Sequence, residues 1–136
     1  MTLLPERFAS EAERMLGAPF RLRGRNPGHG VDCVGLVICA LEQSGHAVSP
    51  PATYALKNTG IESQLDCVRK AGFIDADGPV QRGDVILVRP GPAQHHLLIA
   101  LGFNRFIHAH AGLRRVVIQT GLDAASILRR WRLSES

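Results

Sequence analysis

Cys33 follows Asp32 and precedes Val34-Gly35-Leu36; His96 comes sixty-three positions later and His108 twelve after that. A thiol, an imidazole to take its proton and a second imidazole to orient the first are the parts of a cysteine nucleophile with its base and orienter. Attack on a carbonyl needs thiolate, and a helix N-terminus and an adjacent imidazolium both favour that form of a thiol. The same residue types admit a second chemistry. His96, His108 and His110, with His95, His29 or Cys33, offer enough nitrogen and sulfur donors for zinc, although their spacing forms no compact ligand motif.

The elements that must hold these groups can be read around them. Gly24-Arg25-Asn26-Pro27-Gly28-His29-Gly30 is dense in turn formers and excludes a helix interior. Asp32 is a favourable N-cap, and the apolar run from Cys33 to Leu41 predicts a buried helix ending near Gly45. Cys33 then opens that helix after a glycine-rich loop, with its backbone N–H available to a developing oxyanion. The plainer reading is an inert buried thiol. Farther on, Gly83 to Val88 reads as a strand, and His95–Leu101 and Arg105–His110 as two more joined by Gly102-Phe103-Asn104. So short a connection predicts an antiparallel hairpin in which His96 and His108 meet if pairing centres near Gly102. Alternation puts His108 and His110 on one face, Ile107 and Ala109 on the other.

These segments resemble the NlpC/P60 cysteine peptidases, and within them the small phage-type branch of tail modules and gene transfer agents. The residues that carry the resemblance are Leu16-Gly17-Ala18-Pro19-Phe20, Asp32-Cys33-Val34-Gly35-Leu36-Val37, Gly83-Asp84-Val85, His96-Leu97-Leu98-Ile99-Ala100-Leu101-Gly102, Phe106-Ile107-His108-Ala109 and Arg129-Arg130-Trp131-Arg132-Leu133. They run in family order over nearly the whole chain. The resemblance implies an α+β, papain-like fold, with helices carrying the cysteine packed on an antiparallel sheet carrying the histidines. It implies hydrolysis of peptidoglycan stem peptides by Cys33 as nucleophile, His96 as base and His108 as third member, with no cofactor. The family often has tyrosine at the place of Phe20 and serine at that of Val34; both replacements remove a hydroxyl near the substrate. We therefore expect Phe20, Asp32 and Val34 to line the substrate site without selecting for a free stem-peptide amine. Arg23 and Arg25 in the loop are candidates to take a substrate carboxylate, which suits planar bidentate pairing.

Length and composition fit one catalytic domain over residues 1–136: 45% hydrophobic and 21% charged residues are ordinary for a globular chain. Aromatics at 5% predict an aliphatic core. Three cysteines are too few for a disulfide framework, so Cys39 and Cys67 are expected in the core. Glu6, Arg7, Glu11, Glu13 and Arg14 break any apolar run at the N-terminus, and no segment reaches the length of a membrane span. The expectation is synthesis in the cytoplasm without a signal peptide and delivery at a tail tip, through tail proteins, to the cell wall in the periplasm. A net charge of +4 allows weak attraction to polyanions, but no nucleic-acid-binding motif accompanies it.

Elsewhere, Pro5 to Gly17 predicts an amphipathic helix with Phe8, Ala12, Met15 and Leu16 on its apolar face. His46 to Asn58 predicts a loop, and Thr59 to Glu62 a capping box opening a helix that stops near Gly72. Asp75 to Arg82 predicts a turn-rich connection, with strands at Val116–Gln119 and Ile127–Leu133. Two alternatives to the peptidase stand beside it: a catalytically idle structural tail-assembly protein, and a zinc-dependent hydrolase using the histidines. An acyltransferase on the same scaffold would differ only in what attacks the thioester.

Overall fold

A computed structural model describes residues 3–22, 24–46, 71–91 and 94–133. Its two helices come first. Helix α1 (Leu4–Glu13) has Pro5 in its first turn, where the missing N–H costs nothing, and buries Phe8, Ala9 and Ala12. Helix α2 (Cys33–Gln43) is capped as its sequence predicts: Asp32 is extended and its carboxylate accepts from the Gly35 N–H at 2.8 Å. Every residue from Val34 to Leu41 is buried, so this helix runs through the core with no solvent face.

Eight strands follow the order of the chain: β1 (Arg25–Asn26), β2 (Gly30–Val31), β3 (Phe73–Asp75), β4 (Val85–Gly91), β5 (Gln94–Gly102), β6 (Arg105–His110), β7 (Arg115–Thr120) and β8 (Ile127–Leu133). β1 and β2 form a small hairpin inside the glycine-rich loop; the other six make one antiparallel sheet, ordered β3-β8-β4-β5-β6-β7. One face of the sheet packs on both helices through Val85, Leu87, Leu97, Ile99, Leu101, Ile107, Ala109 and Val116. The other face holds a smaller cluster of Ile86, Val88, Leu98, Ala100 and Phe106 under Leu122 and Ile127. Each fully buried aliphatic side chain contributes about 1.5–3 kcal/mol, so the helix-covered face carries most of the hydrophobic stabilisation.

The segment before α2 is anchored at both ends. Pro19 bridges Arg115 and Phe20 bridges Val31, while the Val31 N–H donates to the Pro19 carbonyl at 2.9 Å. Gly24 and Gly35 touch backbone to backbone: a Cβ on Gly35 would overlap the Gly24 carbonyl oxygen. At the far side of the sheet Asp84, 0% exposed, accepts from the Gln81 N–H and from the guanidinium groups of Arg130 and Arg132. Arg82 ties the β4 entry to α1 through Glu6, Glu13 and Ser10.

Some expectations need correction. Leu16 is 54% exposed, because the helix ends at Glu13 and the turn into Gly17 (φ 85°) rotates it away from the core. Gly83 and Asp84 precede the strand instead of belonging to it. Residues 73–75, between the helix stop expected near Gly72 and the connection expected from Asp75, form β3 at the sheet edge, and β8 lies between β3 and β4. The capping box at Thr59–Glu62, its helix and Cys67, as well as Arg23 and residues 47–58 of the surface loop, lie outside the described residues. Among the described residues no helix is long and apolar enough to cross a membrane.

Candidate active site

The β5–β6 hairpin turns on Phe103 and Asn104, both at positive φ (55° and 59°), next to Gly102 at 87°. Such a turn matches the twist of the strands it joins. Its ladder runs from Gly102↔Arg105 to Ile99↔Ile107. His108 is the next residue on β6 and His96 lies three beyond on β5. Because Leu97, Ile99, Ile107 and Ala109 face the helices, the two histidines emerge on the opposite face. There His96 Nε2 and His108 Nδ1 are hydrogen-bonded at 2.7 Å, with rings inclined at 80°.

His110 stands beside them, its ring centroid 5.6 Å from that of His108, and its Nδ1 accepts from the Leu113 N–H at 3.0 Å. Burial, then the neighbouring His108 and His110, pushes the His96 imidazole down from 6.5 to about 4. Burial and His110 also lower His108, against a hydrogen bond with the Gln119 side chain that raises it. Both imidazoles are therefore neutral near pH 7, the state in which a ring nitrogen can accept a proton.

A cavity of about 760 Å³ opens over this group, lined by His96, His108, His110, Arg89, Gln119 and Asp123 among others. Cys33 is half-buried at the first position of α2. Three backbone contacts link the segment before that helix to the strand that carries His108 and His110. Val31 is bonded to Pro19, Pro19 is bridged to Arg115, and Arg115 pairs with His110 on β6. The cavity lining itself does not extend to Cys33.

The remaining expected site residues take different places. Asp32 is the buried helix cap. Phe20 packs against the main core, with its N–H donating to the Arg114 carbonyl at 2.9 Å. Val34 is 1% exposed, so its methyls meet the core and not solvent. Arg25 lies on β1, where its carbonyl accepts from the Cys39 thiol, and the arginine on the cavity is Arg89. Burial, with Glu42 next, raises the Cys39 thiol to about 11. The zinc reading gains no support: His96 Nε2 and His108 Nδ1 are engaged with each other, and among the described residues no three of His, Cys, Asp and Glu are grouped to hold a metal ion.

Arg89, Gln119 and Asp123 on the cavity went unread in the sequence. Gln119 carried a signal, since it alternates with the apolar Val116 and Ile118 on a short strand. Arg89, next to the Pro90-Gly91-Pro92 break, carried none.

The sequence pattern of the NlpC/P60 family matches residues 17–129. No match was found among the curated proteins. Among solved structures, the chain is similar to NlpC2 from Trichomonas vaginalis (TM-score 0.71, 18% identity, covering 100% of this chain and 48% of that one). It is similar to an NLP/P60 family protein, described as similar to lipoprotein, from Staphylococcus aureus (TM-score 0.66, 20% identity, 98% and 42% covered). It is also similar to the peptidoglycan hydrolase RipB from Mycobacterium tuberculosis (TM-score 0.61, 21% identity, 98% and 65% covered). The chain thus spans less than half the length of the first two of these structures. At such identities the likeness is one of fold.

Proposed function

The chain belongs to the NlpC/P60 family, and on that footing we propose that it is a cysteine peptidase that hydrolyses peptide bonds in peptidoglycan stems. Cys33 is the nucleophile, His96 the base and His108 the residue that orients it. The observation that carries the reading is the His96–His108 hydrogen bond, which the capped start of α2 at Cys33 supports. A scaffold has no use for two imidazoles, one buried and one half-buried, bonded ring to ring.

In this mechanism neutral His96 takes the thiol proton as Cys33 Sγ attacks the scissile carbonyl carbon. The helix start favours the negative charge on sulfur and then on the carbonyl oxygen. Collapse of the tetrahedral adduct breaks the C–N bond, and the imidazolium returns its proton to the departing amine. Water, deprotonated by the same imidazole, attacks the thioester; Sγ leaves and is reprotonated. His108 stabilises the transient charge on His96 through the 2.7 Å bond.

Substrate selection follows from which groups can reach the site. The side chains of Phe20 and Val34 pack in the core and carry no hydroxyl, so binding does not depend on a hydroxyl at either position holding a free amino terminus. Arg89 supplies the guanidinium on the cavity that a stem-peptide carboxylate needs, the role expected of the loop arginines. The motifs shared with the phage-type branch extend the proposal to a wall hydrolase carried by a phage or gene transfer agent tail, which acts on intact wall. The experiment is mass spectrometry of fragments released from purified sacculi by the protein and by Cys33→Ala. New stem-peptide termini produced only by the unaltered protein are expected. Sacculi left intact by it would leave a family fold without its chemistry.

A further inference from the structure

The sheet face that carries the His96–His108 bond continues onto β7 with Gln119, which lines the same cavity. Resting on the Cys33–His96 reading above, we propose that Gln119 is a positioning residue that sets the proton arrangement of the imidazole pair and leaves Nδ1 of His96 as the basic nitrogen.

The register places it. His108 pairs with Val117 and Phe106 with Gln119, so Gln119 is the diagonal neighbour of His108 on the same face, within reach of its ring. Both line the same cavity, where the Gln119 side chain lies near enough to the His108 imidazole to favour its charged form. The other end of the amide fixes its orientation. Gln119 Nε2 donates to the Gly121 carbonyl at 2.9 Å, and a carbonyl can only accept. That carbonyl is itself held: Gly121 sits at φ 83°, where other residues are strained, and its N–H donates to Asn104 in the hairpin turn at 2.8 Å.

The remaining assignments follow in order. With its nitrogen committed to Gly121, the amide presents Oε1 to His108. His108 Nδ1 already faces His96, so the nitrogen left to meet Oε1 is Nε2, and it must carry a hydrogen. A neutral imidazole protonated at Nε2 has a lone pair at Nδ1. His108 Nδ1 is then the acceptor of the 2.7 Å bond and His96 Nε2 its donor. His96, neutral and protonated at Nε2, keeps its own lone pair at Nδ1.

Without this constraint the pair is ambiguous. Moving both protons to the Nδ1 positions preserves the ring-to-ring bond but gives His96 an Nδ1–H, which cannot accept a proton from a thiol. A wrong tautomer at the base is costly even when every atom stays in place. Gln119 removes the ambiguity without touching thiol or substrate.

The test is nitrogen NMR of ¹⁵N-histidine-labelled protein near pH 7, with Gln119→Met and Gln119→Glu, each repeated on the Cys33→Ala background. We expect Nε2–H on both imidazoles in the unaltered protein and in Gln119→Glu, which keeps an acceptor. Gln119→Met should show mixed tautomers and lose about 10- to 100-fold in kcat with little change in KM. An Nδ1–H on either ring of the unaltered protein would overturn the inference, and so would unchanged tautomers in a folded Gln119→Met. The tautomers are read without turnover. The expected pattern in a protein that releases nothing from sacculi would refute the peptidase and leave the role of Gln119 standing.

Discussion

The imidazoles of His96 and His108 meet through Nε2 and Nδ1 at 2.7 Å, nearly at right angles, so that neither ring can turn without breaking the bond. The hairpin supplies the approach and the bond supplies the orientation. A base held in this way acts as a unit with its nucleophile, and the effects of removing its members do not add.

His96→Ala should therefore lower kcat/KM by at least about 10³-fold, close to the loss of Cys33 itself. His108→Ala should be milder, about 10- to 100-fold. His108→Asn should recover part of that loss, since an amide oxygen can accept the His96 Nε2–H. Muropeptide release with soluble substrate measures all three. A His96→Ala protein with unimpaired turnover would place the base elsewhere.

Cys33 and Cys39 lie six residues apart on α2 but should behave as opposites. Cys33→Ala should abolish release and leave thermal unfolding nearly unchanged. Cys39, buried and donating its thiol to the Arg25 carbonyl, should react with iodoacetamide only on unfolding. Cys39→Ala should destabilise by about 1 kcal/mol or more while activity persists. Peptide mapping after alkylation of the native protein reads the contrast directly; label on Cys39 at the rate of Cys33 would contradict it.

Stability should also depend on pH through His96. Its imidazole is near 4 in the folded chain and near 6.5 when unfolded, so between those values the unfolded state binds a proton that the folded state does not. Stability is then full above about 6.5 and falls as pH drops towards 4. The loss attributable to this residue is on the order of 3 kcal/mol. Denaturant midpoints for the unaltered protein and His96→Gln across that range provide the measurement, and the variant should show the shallower decline. Parallel curves would mean that His96 is not held neutral by its surroundings.

Arg89→Met should raise KM for an acidic stem peptide by roughly 10-fold and leave kcat within a small factor, because a carboxylate clamp acts equally in ground and transition states. Arg25→Met should do less, as Arg25 does not line the cavity. Kinetics on muropeptides with the free and the amidated carboxyl would distinguish them. Equal effects on both substrates would remove the carboxylate from the account.

The parts of this architecture that can be read in sequence are those that depend on neighbours in sequence. Asp32 announces its cap, and the short Gly102-Phe103-Asn104 connection announces the hairpin that unites the histidines. β3 does not announce itself: three residues hold too little alternation, and its partner β8 comes more than fifty positions later. Val34 was misplaced for a different reason. A helix apolar on every side carries no periodic mark of which residues face a cleft, so only packing could assign it. Gln119 was visible as a polar residue on an alternating strand, but its meaning required the register that sets it beside His108.

The hairpin register has a consequence for how this chain can vary. Strand side chains have a parity, and the interval between His96 and His108 is even, so both fall on the open face while Ile107 falls on the other. Loss of one residue between Arg105 and His108 would invert every later position of β6: an imidazole would enter the aliphatic core and an isoleucine would face His96. Length changes beyond Thr120 leave that parity untouched. The interval works as a ruler whose smallest permitted step is two, and the chain can be lengthened or shortened elsewhere more freely than here.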